Sequence, residues 1–137
     1  MPAAARELAG ALRAAAAGHP DAPHHRALQI AAGHADRVAT APDADAARRA
    51  FSEVSRLFVA LGEADPALRE HLYVFECPMV DYFRKWVQRS EDIDNPYMGL
   101  SMPRCGSRSD FSGSGGLAAL TATDPAAAPA TRPAREA

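Results

Sequence analysis

Apolar residues recur at helical spacing through the first half of the chain. Leu8 and Leu12 share a face with the alanines that follow them, which predicts a first helix over about residues 3–17. A second helix is predicted by a weaker stripe that is carried largely by alanine. Its members are Leu28, Ala31, Ala35 and Val38.

The third helical pattern is the clearest one in the sequence. Apolar residues recur at i, i+3, i+4 and i+7, while arginines and Glu53 lie away from that stripe. Asp43 is a suitable N-cap for this helix, and we expect Gly62 to end it. The stripe consists of Ala47, Ala50, Phe51, Val54, Leu57, Phe58 and Leu61.

The pattern changes in the second half of the chain. Asp65 followed by Pro66 predicts the start of a short fourth helix over about residues 66–73. The segment "HLYVFECP" is rich in strand-favouring residues, whereas "VDYFRKWVQ" places Val80, Phe83 and Val87 on one helical face. The next segment, "EDIDNPYMGLSMPRCG", has the proline and glycine spacing of successive turns.

These patterns predict a mainly α fold. We expect a small Ala-rich bundle of three to five helices, closed by an irregular loop module that contains both cysteines and most of the methionines. The bundle and the loop module form one domain over residues 1–106. Residues 107–137 are low-complexity Ser/Gly and then Ala/Pro sequence, which predicts a disordered tail.

Composition narrows the classes of function. The 137 residues carry a formal net charge of −2, so no basic field favours nucleic acid as a partner. No apolar run is long enough to span a membrane. The opening segment carries Arg6, Glu7 and Arg13 where a secretory signal would need an apolar stretch, so it is interpreted as a helix instead.

Sulfur-bearing residues cluster around the two cysteines. Met79 follows Cys77 by two residues, and Met102 precedes Cys105 by three. Thiolates and thioethers are soft ligands that select Cu(I), and by extension Ag(I), over hard cations, while zinc rarely takes a thioether. The candidate metal ligands are therefore Cys77, Met79, Met102 and Cys105, with Met98 as a weaker candidate.

The same residues allow two other interpretations. Two cysteines 28 positions apart in sequence can form a disulfide that clamps a small domain, with the methionines as packing residues. They can also be unpaired thiols in a core. Residue chemistry alone leaves these alternatives open.

A catalytic function has little support in the sequence. The chain has no CxxC pair, no Ser/His/Asp order and no Gly-rich phosphate loop, so we expect a protein that is not an enzyme. Trp86 is expected to anchor a core, with a lid over bound Cu(I) as the alternative. His71 is expected at the surface, near a helix end.

One motif carries a family resemblance. Cys77-Pro78-Met79, then Trp86, then Ile93-Asp94-Asn95-Pro96-Tyr97-Met98-Gly99 through Met102 to Cys105-Gly106 is present in this order. This motif resembles that of a domain of unknown function found in bacterial envelope proteins and often fused to periplasmic adaptor subunits of heavy-metal efflux pumps. The resemblance extends over about residues 22–106, including the helical segment "FSEVSRLFVAL". Met98 stands where a second tyrosine is expected.

The resemblance implies a helical domain with a role in heavy-metal resistance, most naturally with copper. It implies a periplasmic or cell-envelope location and a heavy-metal efflux component as partner. Combined with the sulfur cluster, it predicts sequestration or hand-over of Cu(I) or Ag(I), in the manner of a metallochaperone.

Overall fold

The computed structural model of the chain describes residues 2–18 and 22–122. Over these ranges the chain forms five α-helices, three short strands and one 3₁₀ turn. The helices and the turn lie at residues α1 Pro2–Ala17, α2 Ala22–Thr40, α3 Ala44–Ala64, α4 Pro66–Arg69, the 3₁₀ turn Gly99–Ser101 and α5 Leu117–Ala122. The strands are β1 Tyr73–Glu76, β2 Lys85–Gln88 and β3 Ser107–Arg108.

Helices α1, α2 and α3 pack side by side around an Ala-rich core, which we call the helical core. Its alanines have almost no exposed surface, and small side chains let the helices approach closely while burying little area each. The mainly α bundle expected from the sequence is confirmed. The helical core consists of Ala9, Leu12, Ala27, Ile30, Ala31, Ala32, Ala35, Val54, Leu57 and Leu61.

Both predicted helix starts are confirmed. The carboxylate of Asp43 accepts a hydrogen bond from the Ala46 N–H at 2.8 Å, which caps α3. Asp65 caps α4 in the same way, at 3.1 Å from the Ala67 nitrogen, with Pro66 in the first helical turn. Helix α4 ends at Arg69, four residues short of the predicted end, because the chain must extend into β1 from Tyr73.

The three strands form one antiparallel sheet in the order β2–β1–β3. The helical face predicted from Val80, Phe83 and Val87 is wrong, because residues 85–88 pair with β1 instead. Pairing places Trp86 of β2 opposite Phe75 of β1, and their rings stack with centroids 5.6 Å apart. The loop module expected to be irregular therefore contains a sheet.

A second core lies between this sheet and α3. It buries Phe75, Cys77, Val80, Trp86 and Tyr97, each at most 7% exposed. Aromatic rings supply most of its apolar surface, unlike the helical core. Both cysteine-containing segments are thereby held against a packed interior.

Residues 107–122 differ from the expected disordered tail. Strand β3 pairs with β1, Ser114 is buried, and Leu117 of α5 packs against the helical core. The Phe111 ring lies directly over Gly62, where a β-carbon would collide with it, so Gly62 is a packing position inside α3 and does not end the helix. Residues 123–137 of the expected tail lie outside the described residues.

Among the helices described here, none is both long enough and apolar enough to cross a membrane.

Candidate functional site

The sheet brings the two cysteines together. Cys77 directly follows β1, and Cys105 lies two residues before β3. Glu76 pairs with Ser107 in the antiparallel β1–β3 ladder, so the residue after Glu76 lies beside the residues before Ser107. This register brings Cys77 near Cys105. We call Cys77 and Cys105 the cysteine pair.

Both members of the pair are free thiols that interact with each other. Cys77 is fully buried, and Cys105 is half-buried. Burial raises the pKa of the Cys105 thiol, and the charge and the thiol hydrogen bond of Cys77 raise it further. The raised pKa keeps the Cys105 thiol protonated at neutral pH.

Backbone hydrogen bonds fix Cys77 in place. Its N–H donates to the Arg84 carbonyl at 2.9 Å, and its carbonyl accepts from the Val80 N–H at 3.4 Å. The first bond extends the β1–β2 ladder, and the second closes a turn that contains Met79. Cys77 thus belongs to the rigid end of the sheet.

Asn95 fixes the segment that carries Cys105. Its side-chain amide donates to the Cys105 carbonyl at 2.7 Å, and its side-chain oxygen accepts from the backbone N–H groups of Tyr97 and Met98 at 2.7 and 3.0 Å. The Asn95 N–H also donates to the Pro103 carbonyl at 2.7 Å. Asn95 is 1% exposed, so these bonds are shielded from water.

Sequence reasoning interpreted Asn95 only as a turn residue and missed this role. The Asn-Pro-Tyr string is a detectable signal, since an asparagine side chain that bonds to following N–H groups forms an Asx turn. Its bond to a carbonyl ten residues later depends on tertiary structure and has no local signal.

Gly106 allows the Cys105 segment to lie against β1. Its φ of +132° is a conformation that residues with a β-carbon rarely adopt. A β-carbon at this position would lie 2.9 Å from the Glu76 carbonyl oxygen and 3.1 Å from the Trp86 ring. Glycine here permits the close approach that brings Cys105 to Cys77.

Trp86 and Tyr97 form the wall behind the pair. Trp86 is 2% exposed, and its indole N–H donates to the Gln88 side chain at 2.7 Å, which is the arrangement of a core anchor. The Tyr97 hydroxyl donates to the Lys85 carbonyl at 2.9 Å, and burial raises the pKa of Tyr97 to about 12. Tyr97 is therefore a neutral structural donor.

The methionines differ from the cysteines in exposure. Met79 is 62% exposed and Met102 is 38% exposed, each in a turn next to one cysteine. The Met102 carbonyl accepts from the Cys105 N–H at 3.1 Å. Met98 is partly buried against the second core, which is a packing position. Of the four candidate ligands, the fold brings the two thiols close together and leaves both thioethers at the surface.

Hard donors do not add to this group. Within residues 2–18 and 22–122, no cluster of three or more His, Cys, Asp or Glu side chains is arranged to hold a metal ion. His71 is exposed, beyond the end of α4. From the part of the chain that the structure describes, a metal at the cysteine pair would thus have two thiolates as its ligands of these types, and thioethers could complete its coordination.

Comparison with protein-family models, with curated proteins and with solved structures found no match to this chain. The family resemblance of the Cys-Pro-Met and Asn-Pro-Tyr motifs stays a prediction.

Proposed function

We propose that this protein binds one soft metal ion, Cu(I) or Ag(I), between the thiolates of Cys77 and Cys105. The observation that carries the proposal is the interaction of two free thiols from segments 28 positions apart in sequence. Two sulfurs are enough for a linear Cu(I) site, and the thioethers of Met79 and Met102 can complete a higher coordination number.

The electrostatics of the pair favour a monovalent soft cation. Deprotonation of one thiol disfavours deprotonation of its neighbour, and a cation between them removes that repulsion. Binding then releases thiol protons, so the affinity for Cu(I) rises with pH through the range in which the thiols ionise. The thioethers have no proton to lose and sustain binding at lower pH.

The difference in exposure suits transfer of the ion. Cys77 is buried and therefore fixed in position as a ligand, whereas the thioethers of Met79 and Met102 are exposed on adjacent turns. An incoming ion would contact these thioethers first. Ligands can then be exchanged one at a time with a donor or acceptor. We therefore propose sequestration or hand-over in heavy-metal resistance, in the periplasm or cell envelope, with an efflux component as the acceptor.

The test is anaerobic titration of the reduced protein with Cu(I) against a chromophoric chelator. One tight equivalent is expected. Cys77→Ser and Cys105→Ser should each weaken binding by more than the roughly 10- to 100-fold that loss of a supporting residue costs. Failure of the wild type to compete with the chelator would refute the proposal.

The methionines call for a separate comparison. Replacing both Met79 and Met102 with leucine is expected to weaken binding more at pH 5.5 than at pH 7.5, because thioethers bind without deprotonation. Met98→Leu is the matched control, since this methionine packs against the second core. Equal losses from the double variant and from the control would remove Met79 and Met102 from the ligand set.

The proximity of the thiols also supports the second candidate, a disulfide that clamps the Cys105 segment to the sheet. Oxidation would join the two sulfurs with loss of two protons and two electrons to an oxidant such as a thiol–disulfide oxidoreductase. In that case, the oxidised form should be the stable one under mild glutathione buffers, and the reduced form should not compete for Cu(I). Mass spectrometry after alkylation distinguishes the two forms.

A further inference from the structure

A cavity of about 590 Å³ lies at one end of the helical bundle, and neither cysteine lines it. Its wall is formed by α1, the C-terminal part of α2, the N-terminal part of α3 and the loop that begins at Pro96. We call it the bundle-end cavity. Its volume falls within the range of about 300–1,000 Å³ that is usual for small-molecule sites.

Alanines create this space. Ala5, Ala35, Ala39 and Ala47 line it at positions where larger residues would fill the gap between the helices. Leu8 adds further apolar surface from α1. An aliphatic ligand would bury apolar surface here that otherwise stays in contact with water.

Two aromatic rings make one side of the cavity rigid. Phe51 and Tyr97 meet edge to face with centroids 5.6 Å apart, and both line the cavity. The hydroxyl of Tyr97 is already bonded to the Lys85 carbonyl at 2.9 Å. The ring therefore offers mainly carbon to a ligand, and this wall is formed before any ligand binds.

Two charged residues line the cavity, Arg48 and Asp43, and Arg48 is the one that can receive an anion. Arg48 lines the cavity, and none of the hydrogen bonds or ion pairs among the described residues involves its guanidinium. The Asp43 carboxylate in the lining accepts the Ala46 N–H as the cap of α3, and the nearby Asp45 pairs with Arg49 at 3.0 Å. A positive charge that is free to pair thus adjoins an apolar cavity.

We propose that the bundle-end cavity binds a single-chain aliphatic carboxylate, with its chain among the alanines and its carboxylate at Arg48. Charge complementarity selects the carboxylate, and the apolar wall selects the chain. This site uses none of the proposed metal ligands, although Tyr97 both lines the cavity and packs behind the cysteine pair.

The experiment is calorimetric titration of the full chain with decanoate at pH 8, where the carboxylate is ionised. One equivalent is expected to bind, with a negative heat-capacity change from burial of the chain. Decanol and decyltrimethylammonium are the comparison ligands, and both should bind more weakly. Absence of binding, or decanol binding as tightly as decanoate, would overturn the proposal.

Two types of variant locate the site. Arg48→Gln is expected to weaken decanoate binding about two- to five-fold, the size of a partly exposed ion pair. Arg49→Gln is the matched control because Arg49 pairs with Asp45 and does not line the cavity. Equal effects of the two substitutions would overturn the role of Arg48.

Filling the cavity should abolish binding. Ala47→Phe places a ring in the space directly, and Ala44→Phe does so from an exposed rim position. If Ala47→Phe does not fold, Ala44→Phe alone decides, and binding of decanoate to it with unchanged affinity would overturn the proposal. The Cys77→Ser, Cys105→Ser double variant should bind decanoate as the wild type does.

Discussion

Asn95 is expected to be the most sensitive polar residue of the cysteine-bearing module. Replacing it with alanine removes the bond to the Cys105 carbonyl and the two bonds from the Tyr97 and Met98 N–H groups. Each bond contributes about 0.5–1.5 kcal/mol net, and the buried Tyr97 N–H is left without its partner. We therefore expect Asn95→Ala to lower the free energy of unfolding by about 3–4 kcal/mol, a large share of the roughly 5–15 kcal/mol of a small domain.

The assay is urea unfolding followed by the fluorescence of Trp86, the only tryptophan of the chain. Asp94→Ala is the matched control, because it removes an exposed neighbouring carboxylate and should change stability by less than about 0.5 kcal/mol. A second readout is the reaction rate of Cys105 with a thiol reagent, which should rise in Asn95→Ala and not in the control. A loss of less than about 1 kcal/mol with an unchanged rate would refute the role assigned to Asn95.

Three further predictions follow from local geometry. Gly106→Ala should lower the free energy of unfolding by about 3 kcal/mol or more, because the new β-carbon would collide with the β1 backbone. Gly99→Ala, at φ +55° with no atom within 4 Å of the new β-carbon, should lower it by about 1 kcal/mol. Equal losses for the two variants in urea unfolding would contradict this. Burial, and then the charge of Arg37, lowers the pKa of His34 to about 4 in the folded protein. The unfolded chain therefore binds a proton at His34 at a higher pH than the folded protein does, and the free energy of unfolding falls as pH drops from about 6.5 to about 4. An NMR titration midpoint near 6.5 for His34 would refute this. Phe111→Ala should lower the free energy of unfolding by about 2 kcal/mol, because it leaves a gap over Gly62. The measurement is thermal unfolding, and an unchanged melting temperature would show that this packing is unimportant.

Helices α1 to α4 were predictable because the signals that start and pattern them are local, whereas α5 was not predicted. The apolar stripe of α3 and the caps at Asp43 and Asp65 need no information from the rest of the chain. Gly62 shows the limit of this local reasoning. Glycine costs about 1 kcal/mol within a helix, but α3 continues through Gly62 to Ala64, and the Phe111 ring packs over it.

The sheet was only partly predictable because its strands are short and pair across the sequence. β1 was detectable from its composition, whereas four residues of β2 are too few to separate a period of 2 from one of 3.6. β3 has two residues in a Ser/Arg context and exists because β1 offers a free edge. The segment that follows β3 has few apolar residues at its start, so its ordered structure was not predicted.

The geometry of the candidate site was not predictable from the sequence, and its metal chemistry stays a prediction. Residue types alone suggested soft-metal ligands, but their arrangement depends on the β1–β3 register and on the contacts of Asn95 and Gly106. That arrangement places Cys105 close to Cys77. It also leaves Met79 and Met102 exposed, which a sequence pattern cannot reveal.

X-ray absorption at the copper edge of the Cu(I)-loaded, reduced protein tests the central claim most directly. The account predicts a first coordination shell of sulfur alone, with at least two sulfurs at thiolate distance, and loss of one of them in Cys105→Ser. A shell dominated by nitrogen or oxygen, or a spectrum unchanged by that substitution, would contradict binding between Cys77 and Cys105.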